Sequence, residues 1–360
     1  TLTIFGESHG RAVGAVLDGM AAGVPVDESF LAACMDKRRA RGDGLSTPRV
    51  EGDAVQFLSG VVNSRTTGTA IALMIENQNT RSADYAKTAD LLRPGHADFT
   101  AYAKYHGFQD ARGGGHFSGR VTAALTAAGA VCRGVLAAKG VLAATHIREV
   151  AGVPDAPFAQ NPAELQAQIR ALADAEGFPV LCAGAGEKMQ AAIRAAGAEG
   201  DSVGGILETA AAGLPAGIGE PFFDSVESTL AHLLFSVPAV KGVEFGAGFG
   251  FAGMKGSEAN DPLRLEDGHI TTATNHNGGV NGGVANGMPL VLRSCVKPTP
   301  SIYKPQRTVD LASGAEGELR IQGRHDPCIL HRAAVVQTAA VCIGLLDLCT
   351  QRFGTLWQAE

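Results

Sequence analysis

Residues 112–139 read RGGGHFSGRVTAALTAAGAVCRGVLAAK, and the two halves of that stretch ask for opposite surroundings. The second half is alanine, valine and leucine with almost no charge. It predicts a helix over 121–139 that is apolar all round and therefore buried on more than one face. The same pattern returns at 332–349, again behind a loop of glycine and arginine. Two such helices need sheet against them, so the expected fold class is α+β, with mixed or antiparallel sheets packed with buried helices. The first half, RGGGHFSGR, sets flexible residues beside fixed positive charge and a titratable ring. An ordered glycine run costs entropy and so serves a tight turn or a close backbone approach. One reading is a solvated surface turn; the other is a loop whose amides and arginines hold an anion.

Further elements follow from local signals. Asn161, Pro162 and Glu164 mark a helix start, with a capping-box spacing, over 161–175. Residues 187–197 run helically to a glycine stop. Asp224 and Glu227 repeat the cap spacing before an apolar stripe at Val226, Leu230, Leu233 and Leu234. Strands are expected at 70–75, 206–212, 243–245 and 288–295. No clean linker breaks the 360 residues, which are read as a single domain over 1–360.

Composition narrows the classes. With 45% hydrophobic and 18% charged residues the chain is globular with ample core material. A net charge of −6 disfavours a general nucleic-acid binder. Apolar runs such as VTAALTAAGAVC contain threonine and glycine and are expected to stop short of a membrane span. The opening TLTIFGESHG lacks the marks of a signal peptide. Seven cysteines, with no CxxC spacing, favour reduced buried thiols and a cytoplasmic location over disulfides or structural zinc, and no metal site is expected.

Chemistry concentrates in five stretches: GESHG (6–10), RPGHADFT (93–100), RGGGHFSGR (112–120), NHNGGVNGG (275–283) and GRHDPC (323–328). They hold His9, His96, His116, His276 and His325. His106, His146, His232, His269 and His331 lie outside that setting and are read as core or surface residues. The segment 37–49 carries Lys37, Arg38, Arg39, Arg41 and Arg49 against Asp43 alone. Such a run is usually a solvated face, but it would join Arg112, Arg120 and Arg324 if the loops converge. Arginine's planar fork binds carboxylate or phosphate bidentately, so a site collecting several implies a ligand with several negative charges. Competing sites fail on residue type: there is no GxxxxGK[ST] loop, no strand–GxGxxG–helix unit, no HExxH pair and no GxSxG elbow. What remains is acid–base histidines around a polyanion, with or without an organic cofactor.

In order along the chain, GESHG, RPGHADFT, RGGG followed by Ser118 and Arg120, GDSVGG, GEPFFD, AVKGVEFG, KPTPS and GRHDPC resemble the motifs of chorismate synthases. The resemblance implies one catalytic domain built as a β-α-β sandwich. Family members carry residues ahead of this start, so a first strand is expected to be missing. It also implies a carbon–oxygen lyase of the shikimate pathway, in aromatic amino acid biosynthesis, that turns 5-enolpyruvylshikimate 3-phosphate into chorismate. Phosphate and a ring proton leave in a 1,4-anti elimination that needs reduced FMN but makes no net redox change. A cytoplasmic homotetramer acting on a small molecule, without nucleic-acid or membrane partners, is the implied setting.

Matched motif by motif, the resemblance implies that His9, beside Ser8, protonates the departing phosphate, which is a role for a side chain that titrates near neutrality. It implies that His96 sits by the reduced flavin and that Asp326 assists proton acceptance there. Arg49, Arg120 and Arg324 are expected to grip substrate. Flavin contacts are expected from His116, Phe117, Ser118, Pro238, Ala239, Gly282, Lys297, Pro298, Thr299, Pro300, Ser301 and Arg324, and Arg38 matches an arginine assigned to NADPH. The chain departs from the commoner pattern at His116, Phe117, Val121 and Pro238, which bears on the flavin contacts. Gly44 stands where a basic residue is common, so an outside source is expected to reduce the flavin. A flavin oxidoreductase with net hydride transfer and a non-catalytic flavin- or phosphate-binding module are the competing readings.

Overall fold

The two apolar runs become the central helices of a layered molecule. The structure, a computed structural model, describes residues 1–40, 42–47, 51–78, 90–321 and 325–360. Its helices are α1 (Glu28–Arg38), α2 (Asp98–Tyr105), α3 (Thr122–Ala138), α4 (Pro162–Asp174), α5 (Ala183–Ala198), α6 (Val226–Ser236), α7 (Gly256–Ala259) and α8 (Leu330–Phe353). One antiparallel sheet has the strand order Leu2–Gly6, Ala12–Leu17, Ile71–Glu76, Val55–Ser59. A second runs Val240–Phe245, Leu290–Val296, Gly205–Ala212, Leu142–Val150, Val153–Pro154. The α3 helix packs on the first sheet and on α8, which in turn packs on the second sheet. The expected sheet–helix–sheet sandwich is present.

Register explains why the first sheet faces the helices. Val13 pairs with Ile75, Ala15 with Leu73 and Leu17 with Ile71, and all six are buried. Because side chains alternate along a strand, that pairing sends one apolar row into the core. Opposite it, α3 buries nearly every residue from Ala123 to Cys132. Gly129 lies so close to Ala339 of α8 that a Cβ would stand 2.4 Å from the Ala339 Cβ. On the far side, α8 joins the second sheet through hydroxyls: Thr338 donates to Thr145 (2.7 Å), and Gln337 Nε2 donates to Thr209 (2.8 Å).

Some sequence expectations need correction. The apolar helices do not stop short of a membrane span: Gly119–Ala138 and Leu330–Phe353 are long and apolar enough by length and composition. Most of each is buried inside the protein, as befits core helices. Asn161 caps α4 as expected, accepting from the Ala163 and Glu164 amides. The cap of α6 is Ser225 rather than Asp224, because the serine oxygen accepts from Ser228 N at 3.0 Å. The basic run holds the fold rather than facing solvent throughout: Lys37 reaches the last carbonyls of α4, and Arg38 is buried.

Candidate active site

Four of the five glycine-rich stretches open on one cavity of about 750 Å³ at the amino ends of α3 and α8. The turn between the first two strands carries Ser8 and His9. Ser8 Oγ donates to the Arg112 carbonyl (3.2 Å), so toward His9 Nδ1 (3.1 Å) it acts as acceptor. A hydroxyl has one proton to give. With the serine proton directed to the Arg112 carbonyl, the hydrogen of this contact belongs to Nδ1.

His96 is oriented by a carboxylate. Its Nδ1 lies 2.9 Å from Asp98 Oδ1, and Arg93 grips the same carboxylate through Nε (2.8 Å) and Nη2 (2.7 Å). Burial raises the Asp98 pKa, but hydrogen bonds from His96 and Arg93 outweigh it and hold the group well below its ordinary range.

The glycines that follow Arg112 seat both rings. A Cβ on Gly113 would stand 2.1 Å from His9 Cε1, and one on Gly114 would stand 3.1 Å from His96 Cε1. Successive glycines thus back onto the two imidazoles, and both hold positive φ, 62° and 96°. The run is the wall that two histidines lean against.

The floor holds the arginines. Arg120 donates Nε to Asn77 Oδ1 (2.8 Å), Nη2 to the Glu76 carbonyl (3.0 Å) and Nη1 to Asp53. Arg38 donates Nη1 to the other Asp53 oxygen (3.0 Å), Nη2 to the Gly119 carbonyl (2.9 Å) and Nε to Thr122 (3.2 Å). Burial, then the charge of Arg332, pulls the Arg38 pKa down, with Asp53 opposing. Asp326 Oδ1 accepts from Thr47 N (2.8 Å) and Arg332 Nη1 (2.9 Å). Arg49 and Arg324 lie outside the described residues.

Most of the remaining expected contacts line the same cavity: His116, Phe117, Ser118, Pro238, Ala239, Lys297, Thr299, Pro300 and Ser301. His116 stands at an exposed position with Nδ1 on the Gly6 carbonyl (2.8 Å). Ser118 Oγ caps the turn that begins α3 by accepting from Arg120 N (3.2 Å). Pro298 falls between lining residues without itself lining the cavity. Gly282 is not brought there; it sits in the tight turn joining Val280–Asn281 and Val284–Ala285. His276 is likewise absent from the lining and faces Asp261, whose carboxylate organises the NHNGG loop. Its histidine–glycine composition serves a turn.

Several residues of the site were not singled out from the sequence. Asp98 and Arg93 were within RPGHADFT, where a carboxylate two positions after the histidine was a usable signal. Arg332 stands just beyond GRHDPC, whose Asp326 it holds. Asp53 and Asn77 lie in none of the five stretches, and only the fold brings them in.

The comparisons agree with this geometry. A family model described as chorismate synthase matches residues 1–350. A chorismate synthase of Chitinophaga pinensis is 46% identical over 96% of this chain and 93% of its own. One of Dehalococcoides mccartyi is 44% identical over 96% and 94%. A solved structure, described as a crystal structure of chorismate synthase, superposes with a TM-score of 0.77 at 27% identity, covering 98% of this chain and 92% of the other. Fold and site thus define a carbon–oxygen lyase that acts on phosphates. The chain belongs to the chorismate synthase family, whose members act in the shikimate pathway. Net hydride transfer and a non-catalytic binding role are not favoured.

Proposed function

We propose that the cavity eliminates phosphate from 5-enolpyruvylshikimate 3-phosphate, with His9 as the acid that protonates the leaving oxygen through Nε2. The observation that carries this reading is the pair of imidazoles, His9 and His96, seated on consecutive glycines above buried guanidiniums. Arg120, together with Arg49 and Arg324, is assigned to the substrate's anionic groups. The amino ends of α3 and α8 add partial positive charge where the phosphate leaves. Ser8 fixes the His9 tautomer, and Asp98 does the same for His96 by accepting from its Nδ1. Asp326, with one oxygen engaged by Thr47 and Arg332, keeps Oδ2 for the ligand side.

The donor set fits a flavin. Thr299 Oγ1 is buried in the cavity wall with no partner among the described residues, and an unpaired buried hydroxyl calls for a bound group. Ser301, Lys297, Ala239 and His116 provide further polar and backbone contacts beside it. We assign FMN, held by these residues with Phe117, Ser118, Pro238, Pro298, Pro300 and Arg324; Gly282 could join it only from outside this cavity. When bound and reduced, FMN supplies transient electron density as the phosphate departs. Arg38 is engaged by Asp53, Gly119 and Thr122, which favours an outside reductant over NADPH held by that arginine.

Residues 1–360 are read as one catalytic domain acting as a homotetramer in the cytoplasm. Phe222, Phe223 and Phe249, each more than four-fifths exposed, support self-association, and buried free thiols suit a reducing compartment. The test is anaerobic phosphate release with reduced FMN. His9→Ala is expected to slow release by about 10²–10⁴-fold, the range for a lost general acid, while FMN still binds. Release at the wild-type rate from His9→Ala contradicts the assignment.

A further inference from the structure

We propose that Asp53 is a positioning residue for substrate binding, its carboxylate clamping Arg38 and Arg120 side by side on the cavity floor. The inference rests on the reading of the cavity as an anion-eliminating site. Each carboxylate oxygen takes one guanidinium, Oδ2 that of Arg38 at 3.0 Å and Oδ1 that of Arg120. All three side chains are at most 5% exposed and all three line the cavity. Two guanidiniums against one carboxylate leave the trio singly positive, away from water that would screen it. Burial raises the Asp53 pKa, but Arg38 and Arg120 outweigh it and hold the carboxyl below its ordinary value.

The backbone pays attention to this group. Asp53 has φ of 50°, in the left-handed region that aspartate adopts more readily than most side chains. The clamp also reaches the acid. Arg120 Nε bonds Asn77 Oδ1, and Asn77 Nδ2 donates to the carbonyls of Glu7 and Gly10, both at 2.9 Å. Those carbonyls flank Ser8 and His9. On its other side Arg38 gives its carbonyl to Arg332, which holds Asp326. One carboxylate thereby sets the spacing between the cationic floor, the His9 turn and Asp326. Charge neutralisation alone would not need a residue with both oxygens committed to different partners.

The test compares wild type, Asp53→Asn and Asp53→Glu. Asparagine offers one acceptor oxygen, so it can hold only one of the two arginines. With substrate and reduced FMN, Asp53→Asn is expected to raise KM by about tenfold or more and to lower kcat by no more than about threefold, the signature of lost ground-state binding. In a second readout, without FMN, inorganic phosphate is expected to raise the melting temperature of wild type and much less that of Asp53→Asn. A wild-type KM in folded Asp53→Asn overturns the proposal, as does a fall in kcat at unchanged KM, which marks an interaction made only in the transition state rather than in substrate binding. If Asp53→Asn does not fold, Asp53→Glu, which keeps the charge and both acceptor oxygens but carries them one methylene further out, takes over the test: a raised KM supports the clamp and a wild-type KM overturns it. Absence of phosphate release from wild type defeats the elimination reading instead, while the phosphate melting shift still reports on the clamp.

Discussion

A methyl group at position 113 would fall 2.1 Å from His9 Cε1 and 2.2 Å from Nδ1, on a backbone with φ of 62°. Gly113→Ala is therefore expected to displace the imidazole, lowering phosphate release by about 100-fold, since small misplacements of a reacting group cost that much. Stability is expected to fall by about 1–3 kcal/mol from overpacking and strain. Turnover together with thermal melting checks both; wild-type turnover would show that the ring does not lean on this glycine. Asp98 belongs to the same scale. Its folded pKa is depressed, so its stabilising contribution is present above the ordinary aspartate value near 4 and is lost only as pH falls through the lower folded value. The stability gap between wild type and Asp98→Asn is expected to persist at neutral pH and to close only in strong acid. A gap that closes between about pH 5 and 7 would assign the effect to another group. At this scale His9, His96 and Asp326 were legible because each sits in a short motif, whereas Asp53 and Arg332 were not. Asp53 meets arginines 15 and 67 positions away, Arg332 stands beyond the motif whose Asp326 it holds, and an aspartate after a basic run looks like an ordinary surface counter-charge.

Between α3 and α8 the contact is closest at Gly129. Helix propensity alone favours alanine over glycine by about 1 kcal/mol, but here a Cβ meets the Ala339 Cα at 2.6 Å and its carbonyl oxygen at 2.7 Å. Gly129→Ala is expected to destabilise by about 1–3 kcal/mol, against the propensity trend. A gain in denaturation midpoint would contradict this packing. The second sheet carries its own test at His146, buried between Asp155 (3.2 Å) and Glu208 (3.0 Å). Burial lowers the His146 pKa, but the two carboxylates outweigh it and raise the pKa above its ordinary value. The contribution is thus complete below about pH 6.5 and lost as pH rises through the folded pKa. Wild-type melting temperature is expected to decline on that alkaline side, and His146→Gln to lack that component of the slope. The sequence left His146 as a core or surface residue; it lies in the core, and its two carboxylates gave no local signal. Helices α3 to α6 and α8, and strands Ile71–Glu76, Gly205–Ala212, Val240–Phe245 and Leu290–Val296, were legible because their caps and apolar runs are local. The first hairpin was not, since the glycine-rich GESHG turn looks like a site before it looks like a turn, and strand Leu142–Val150 and helices α1, α2 and α7 were not singled out either.

Across the whole molecule, an acidic chain builds a cationic cavity by bringing Arg38, Arg120 and Arg332 from three segments to the amino ends of two buried helices. The scattered glycine-rich motifs converge because the core helices start, and the first hairpin turns, at the same end of the sandwich. His276 and Gly282, from the remaining glycine-rich stretch, lie outside this cavity. What sets this cavity apart is an elimination without net redox change. It is measured as the phosphate released anaerobically per equivalent of photoreduced FMN, with excess 5-enolpyruvylshikimate 3-phosphate and no other reductant. Many phosphates per flavin are expected, with the flavin still reduced at the end. One phosphate per flavin, with the flavin left oxidised, would contradict it.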